Sequence, residues 1–107
     1  MKGIYCLEGN WGEDLRQKSS VKPILELLQV NENIDFIYHN CATIEEIDYY
    51  ISKWTQKKYN RFRILYFAFH GERNKILLGN KKTYSLDSLA ELLKGKCNNS
   101  IIIFGSC

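Results

Sequence analysis

Proline is nearly missing from this chain: Pro23 is the single one in 107 residues. With it go low-complexity segments and internal repeats, which excludes linker-rich and repeat architectures. No run approaches the roughly 20 apolar residues of a membrane-crossing helix. A secretory leader is not expected, because the apolar stretch Gly3 to Leu7 meets Glu8, Glu13 and Asp14 at once. The four cysteines, Cys6, Cys41, Cys97 and Cys107, show no CxxC spacing. Free thiols in a reducing cytoplasm are therefore the expectation. No zinc-type spacing is present, and a site built on His39 and Cys41 would need ligands from elsewhere, so neither metal nor cofactor is expected. No GxGxxG or GxxxxGKT motif follows a strand, and Gly9-Asn10-Trp11-Gly12 is too short and bulky to cradle a nucleotide. Charge of one sign is also scarce: 15 basic residues stand against 12 acidic ones, a net of +3. The densest basic group, Lys57, Lys58, Arg61 and Arg63 around Tyr59 and Phe62, reads as a solvated helix end. Neither nucleic acid nor a membrane is expected as a partner.

What remains is an ordinary globular mixture, 45% hydrophobic and 25% charged, enough for a single domain over residues 1–107. Gly3 to Leu7 reads as a strand. Ser19 or Ser20 is placed to cap a helix bearing Val21, Ile24, Leu25 and Leu28, with Pro23 in its tolerant first turn. Ile34 to Tyr38 is a second strand. Thr43-Ile44-Glu45-Glu46 has the capping-box pattern and opens a helix with Ile44, Ile47, Ile51 and Trp54 on one face. Ile64 to Phe69 and Ile101 to Phe104 are continuous apolar runs, the mark of strands buried on both faces. Between them lie a small hairpin, Ile76 to Tyr84, and a helix that Ser85 can cap and Gly95 can end. Such alternation predicts an α/β fold: a parallel sheet of about four strands flanked by helices in three layers.

In parallel sheets function gathers beyond the carboxyl ends of the strands. The third strand ends in Phe69-His70-Gly71 and the fourth in Phe104-Gly105-Ser106-Cys107. Neighbouring strands lie roughly 4.8 Å apart, so these residues would share one rim. A cysteine nucleophile must be a thiolate, and an adjacent imidazole supports that charge and later protonates the leaving amine. His70 and Cys107 are the candidate catalytic pair, with the N–H groups of Gly71 and Cys107 as candidate oxyanion donors.

The His-Gly motif of Ile64 to Gly71, the short connector from Ile76 to Leu93 and the strand ending in Ser106-Cys107 together resemble the caspase-like fold. That group includes caspases, metacaspases, separase, gingipains and, closest in feel, bacterial CHAT-like domains. The resemblance covers the second half in detail and the first half in strand–helix order. It implies a cysteine endopeptidase acting on protein or peptide substrates, with His70 and Cys107 as its dyad. Family members continue past the nucleophile with further strands. The resemblance therefore implies a sheet incomplete at its carboxyl-terminal side and a companion segment or dimer partner along Ile101 to Phe104. It also implies that the loop after the first strand shapes the substrate pocket. Here that loop offers Glu8, Asn10, Trp11, Glu13 and Asp14 beside Arg16, and its acidic excess favours cleavage after Arg or Lys. The competing expectation is a non-catalytic α/β interaction module, either a degenerate caspase-like scaffold or a flavodoxin-like domain.

Overall fold

The structure is a computed structural model that describes residues 3–9, 21–78, 82–96 and 100–105. In chain order its elements are β1 (Gly3–Glu8), α1 (Lys22–Glu32), β2 (Asp35–Asn40), α2 (Ile44–Trp54) and a 3-10 turn (Lys57–Tyr59). There follow β3 (Ile64–Ala68), β4 (Gly71–Glu72), β5 (Lys75–Leu77), β6 (Thr83–Ser85), α3 (Leu86–Leu93) and β7 (Ile101–Gly105). The fold is α/β, with four parallel strands in the order β2-β1-β3-β7. A second, antiparallel sheet of three short strands, β4-β5-β6, lies between β3 and α3 in the chain.

Alternation along the strands sorts the core onto two faces. Tyr5, Leu7, Leu65 and Phe67 pack with Ile47, Ile51 and Trp54 of α2 and Leu89 and Leu93 of α3. Ile4, Cys6 and Ala68 pack with Leu25 of α1 on the other face. The chain steps one way from β1 to β2 across α1, then the other way to β3 and β7 across α2 and α3. Crossovers of a single hand require such steps to use opposite faces, as they do here.

The helix ends show which local signals succeed. Thr43 caps α2 by accepting the Glu46 N–H at 3.1 Å, and the Glu46 carboxylate reaches back to the Ala42 N–H at 3.1 Å. Ser85 caps α3 by accepting the Asp87 N–H, and Gly95, at φ 77°, lies just past its end. Ser19 and Ser20, the expected caps of α1, lie outside the described residues. Val21 holds the N-cap position without a side-chain cap, and the Glu8 carboxylate accepts the Val21 N–H at 2.8 Å instead. Ile24 likewise lies off the buried stripe, 59% exposed, because only Leu25 of this helix is fully buried.

The expectation of burial on both faces holds for most of Ile64 to Phe69, where Leu65, Phe67, Ala68 and Phe69 are buried and Ile64 and Tyr66 partly so, and fails for β7. Ile101, Ile103 and Phe104 are 59%, 40% and 50% exposed. The cause is position: β7 is an edge strand, and α1 packs over the β1–β2 half of its face. Phe104 still stacks on Phe67, with ring centroids 5.1 Å apart. Among the described residues, no helix is long and apolar enough to cross a membrane.

Candidate functional site

Because the chain leaves β1 toward β2 and later returns past it to β3, the carboxyl ends of β1 and β3 flank the point where strand order reverses. Such a point opens a crevice in α/β sheets. Glu8 and Gly9 stand on one side of it, Ala68, Phe69 and His70 on the other. Two backbone bonds tie this rim together: the Gly9 N–H donates to the Ala68 carbonyl at 3.0 Å, and the Cys41 N–H to the Glu8 carbonyl at 2.8 Å. Phe69 is 2% exposed and one edge of its ring lies against Gly9, where a Cβ would come within 2.3 Å of it. The aromatic residue before His70 is thus packed into the rim.

His70 is half-buried, and its carbonyl accepts the Leu77 N–H at 2.7 Å. That bond makes residues 70 and 77 a close pair of the β4–β5 ladder. The next pair, Gly71 opposite Ile76, is then a wide one, whose N–H groups point out of the ladder. The Gly71 amide is directed away from β5 for this reason. The short strand β4 was not visible in the sequence; Gly71-Glu72 is too brief to carry a pattern, and only the partner strand β5 creates it. Tyr84 of β6 anchors the small sheet by donating to Asp48 of α2 at 2.7 Å, and burial together with that carboxylate raises its phenol pKa.

Parallel pairing sets β3 beside β7, with Tyr66 opposite Ile103, Phe67 opposite Phe104 and Ala68 opposite Gly105. Cys107, the candidate nucleophile, lies outside the described residues, as do Asn10, Trp11, Glu13 and Asp14 of the candidate substrate loop. Glu8 is described and is 1% exposed. Its carboxylate accepts the Tyr38 hydroxyl and the Val21 N–H, so it faces β2 and α1. The sequence expectation counted Glu8 with the loop that shapes the substrate pocket. Its neighbours in β1 show why it is inside: it continues the Ile4, Cys6 alternation onto the α1 face.

The two described cysteines are both fully buried. Burial, with Glu8 and then Cys41 adding like charge, pushes the Cys6 thiol up to about 12. Burial and Glu46 do the same to Cys41, also to about 12. Neither thiol supplies a thiolate at neutral pH. His39, beside Cys41, stacks on Tyr50 with centroids 3.8 Å apart, and burial lowers its pKa from the ordinary 6.5. An imidazole that resists protonation in the fold favours unfolding once the solvent supplies protons. Its contribution to stability is complete above the ordinary value of 6.5 and is lost as pH falls through the lowered one. Denaturant midpoints should therefore drop as pH falls below the ordinary 6.5, and His39→Phe, which keeps the stacking, should flatten that slope. An equally steep slope in the variant would place the proton uptake elsewhere.

A family model described as a family of unknown function (DUF6642) matches residues 1–107, the whole chain. No curated protein matches it.

Proposed function

The chain belongs to DUF6642, a family of unknown function, and from that premise we propose that it is the catalytic part of a caspase-like cysteine endopeptidase. One observation carries the reading: β3 and β7 are parallel neighbours in a register that pairs Ala68 with Gly105. His70 follows Ala68 by two residues in the sequence, and Cys107 follows Gly105 by two. The direction of the Gly71 amide and the reversal of strand order beside His70 support the same rim. So does the burial of Cys6 and Cys41, which removes the rival thiols among the described residues.

In this reading the Cys107 thiolate attacks the scissile carbonyl carbon, and the amides of Gly71 and Cys107 hold the oxyanion. His70 takes the thiol proton and gives it to the departing amine, leaving an acyl-enzyme that water hydrolyses. Glu13 and Asp14 select Arg or Lys before the cleaved bond, while the Glu8 carboxylate is engaged within the fold. A companion segment or second chain covers β7, and the protein acts in the cytoplasm. The exposed apolar edge of β7 favours a second reading, a non-catalytic interaction module, which needs no reactive thiol.

Alkylation separates the two. With limiting iodoacetamide and peptide mass mapping, Cys107 should label first and with an apparent pKa below that of a free thiol. Cys6 and Cys41 should label only on unfolding. A Cys107 that reacts at the rate of an ordinary exposed thiol would rule out the peptidase.

A further inference from the structure

The opposite rim, at the amino ends of the strands, carries a second concave feature. A pit of about 140 Å³ is walled by the end of α2, the 3-10 turn, the approach to β3, Gly95 and Lys96 after α3, and Ser100. Lys57, Arg63 and Lys96 border it from three separate stretches of chain, with Thr55, Asn60 and Ser100 among its polar groups. Among the described residues, no acidic residue lines it. At the start of β2, Asp35 is bound to Arg61 at 2.7 Å, and that hydrogen bond lowers its pKa.

Cations at helix carboxyl termini ordinarily offset the negative end of the helix dipole. Here several of the terminal carbonyls have backbone donors. The Thr55 N–H donates to Ile51, the Gln56 N–H to Lys53, the Lys94 N–H to Glu91 and the Lys96 N–H to Leu93. Lys57 and Lys96 follow the ends of two different helices and meet at one pit. A single phosphoryl group fits both the size of the pit and the donors around it.

We propose that this pit binds the phosphate group of a small phosphorylated ligand, independently of the chemistry at the opposite rim. The probe is inorganic phosphate, with pyrophosphate as its two-group relative. At ten times its dissociation constant, phosphate should raise the Tm by roughly 5 °C, through binding to the folded state alone. Chloride at the same ionic strength should not. The double variant Lys57→Gln/Lys96→Gln, both side chains being exposed, should keep its fold by circular dichroism. It should weaken phosphate binding about tenfold or more in calorimetry, the scale of one lost charge-assisted hydrogen bond. Three results would each overturn the proposal: no phosphate shift in the native chain, an equal shift in the double variant, or an equal shift with chloride. An oligothymidylate that binds more tightly than pyrophosphate and is lost in the same variant would also overturn it, in favour of a nucleic-acid surface.

Discussion

Cys107→Ala should abolish peptide hydrolysis and leave the unfolding midpoint where it was. The expected loss in kcat is about 10⁴-fold or more, because the other cysteines among the described residues, Cys6 and Cys41, are buried. His70→Ala should lose nearly as much, and the double variant little more than either single one, since a nucleophile and its base fail as a unit. Cys41→Ala supplies the contrast. Its thiol is 0% exposed and pushed up to about 12, so it serves as packing. That variant should keep the kcat of the folded protein and lose about 1–2 kcal/mol of stability to a small cavity. The measurement is turnover of a fluorogenic peptide library alongside thermal unfolding of the same samples. Full activity in Cys107→Ala, or its loss in Cys41→Ala, would end the assignment of this dyad.

The second large effect is expected from a single methyl group. In Gly9→Ala the new Cβ would lie 2.3 Å from the Phe69 ring, closer than any real side-chain contact. Phe69 is 2% exposed and cannot swing into solvent cheaply. Gly9 cannot retreat without breaking its bond to the Ala68 carbonyl. Overpacking of this kind costs about 1–3 kcal/mol and more where the backbone is pinned. Urea unfolding should show that loss, and Phe69→Leu in the same chain should recover part of it by vacating the ring's edge. Because Phe69 is bonded directly to His70, Gly9→Ala should also displace the imidazole, so activity should fall further than the folded fraction does. A Gly9→Ala protein of native stability would show that the rim is not as tightly closed as its geometry states.

Both predictions depend on residues of unequal legibility. The strands and their parallel order were readable because β1 and β3 are continuous apolar runs, and the helix caps Thr43 and Ser85 because capping is written within four residues. The His70 position was readable for the same local reason, since it directly follows a buried strand. The cap of α1 was not, because it comes from Glu8, 13 residues away, and nothing near Val21 announces it. The inward turn of Glu8 was hidden by its charge; its alternation with Ile4 and Cys6 was the available signal. Gly9 looked like loop punctuation, and its contact with Phe69 exists only once β1 and β3 lie side by side. The exposure of β7 could not be read from Ile101 to Phe104, since an edge strand and a central one share the same apolar composition. Sheet position is a property of topology, and short-range pattern does not encode it.

That topology has a consequence for synthesis. β1 precedes the other described strands in the chain, yet it lies inside the sheet, paired with β2 on one side and β3 on the other. Ile4 finds its first neighbour at Phe36 and its second only at Ile64. A nascent chain must therefore keep a mostly apolar six-residue segment out of trouble while about nine times its own length is translated, and closure of that long loop is entropically slow. Trigger-type chaperones that hold short apolar stretches near the ribosome should bind residues 3–8 more strongly than any later strand. Fusion of a large folded tag to the amino terminus should slow refolding more than the same tag placed ahead of an edge strand.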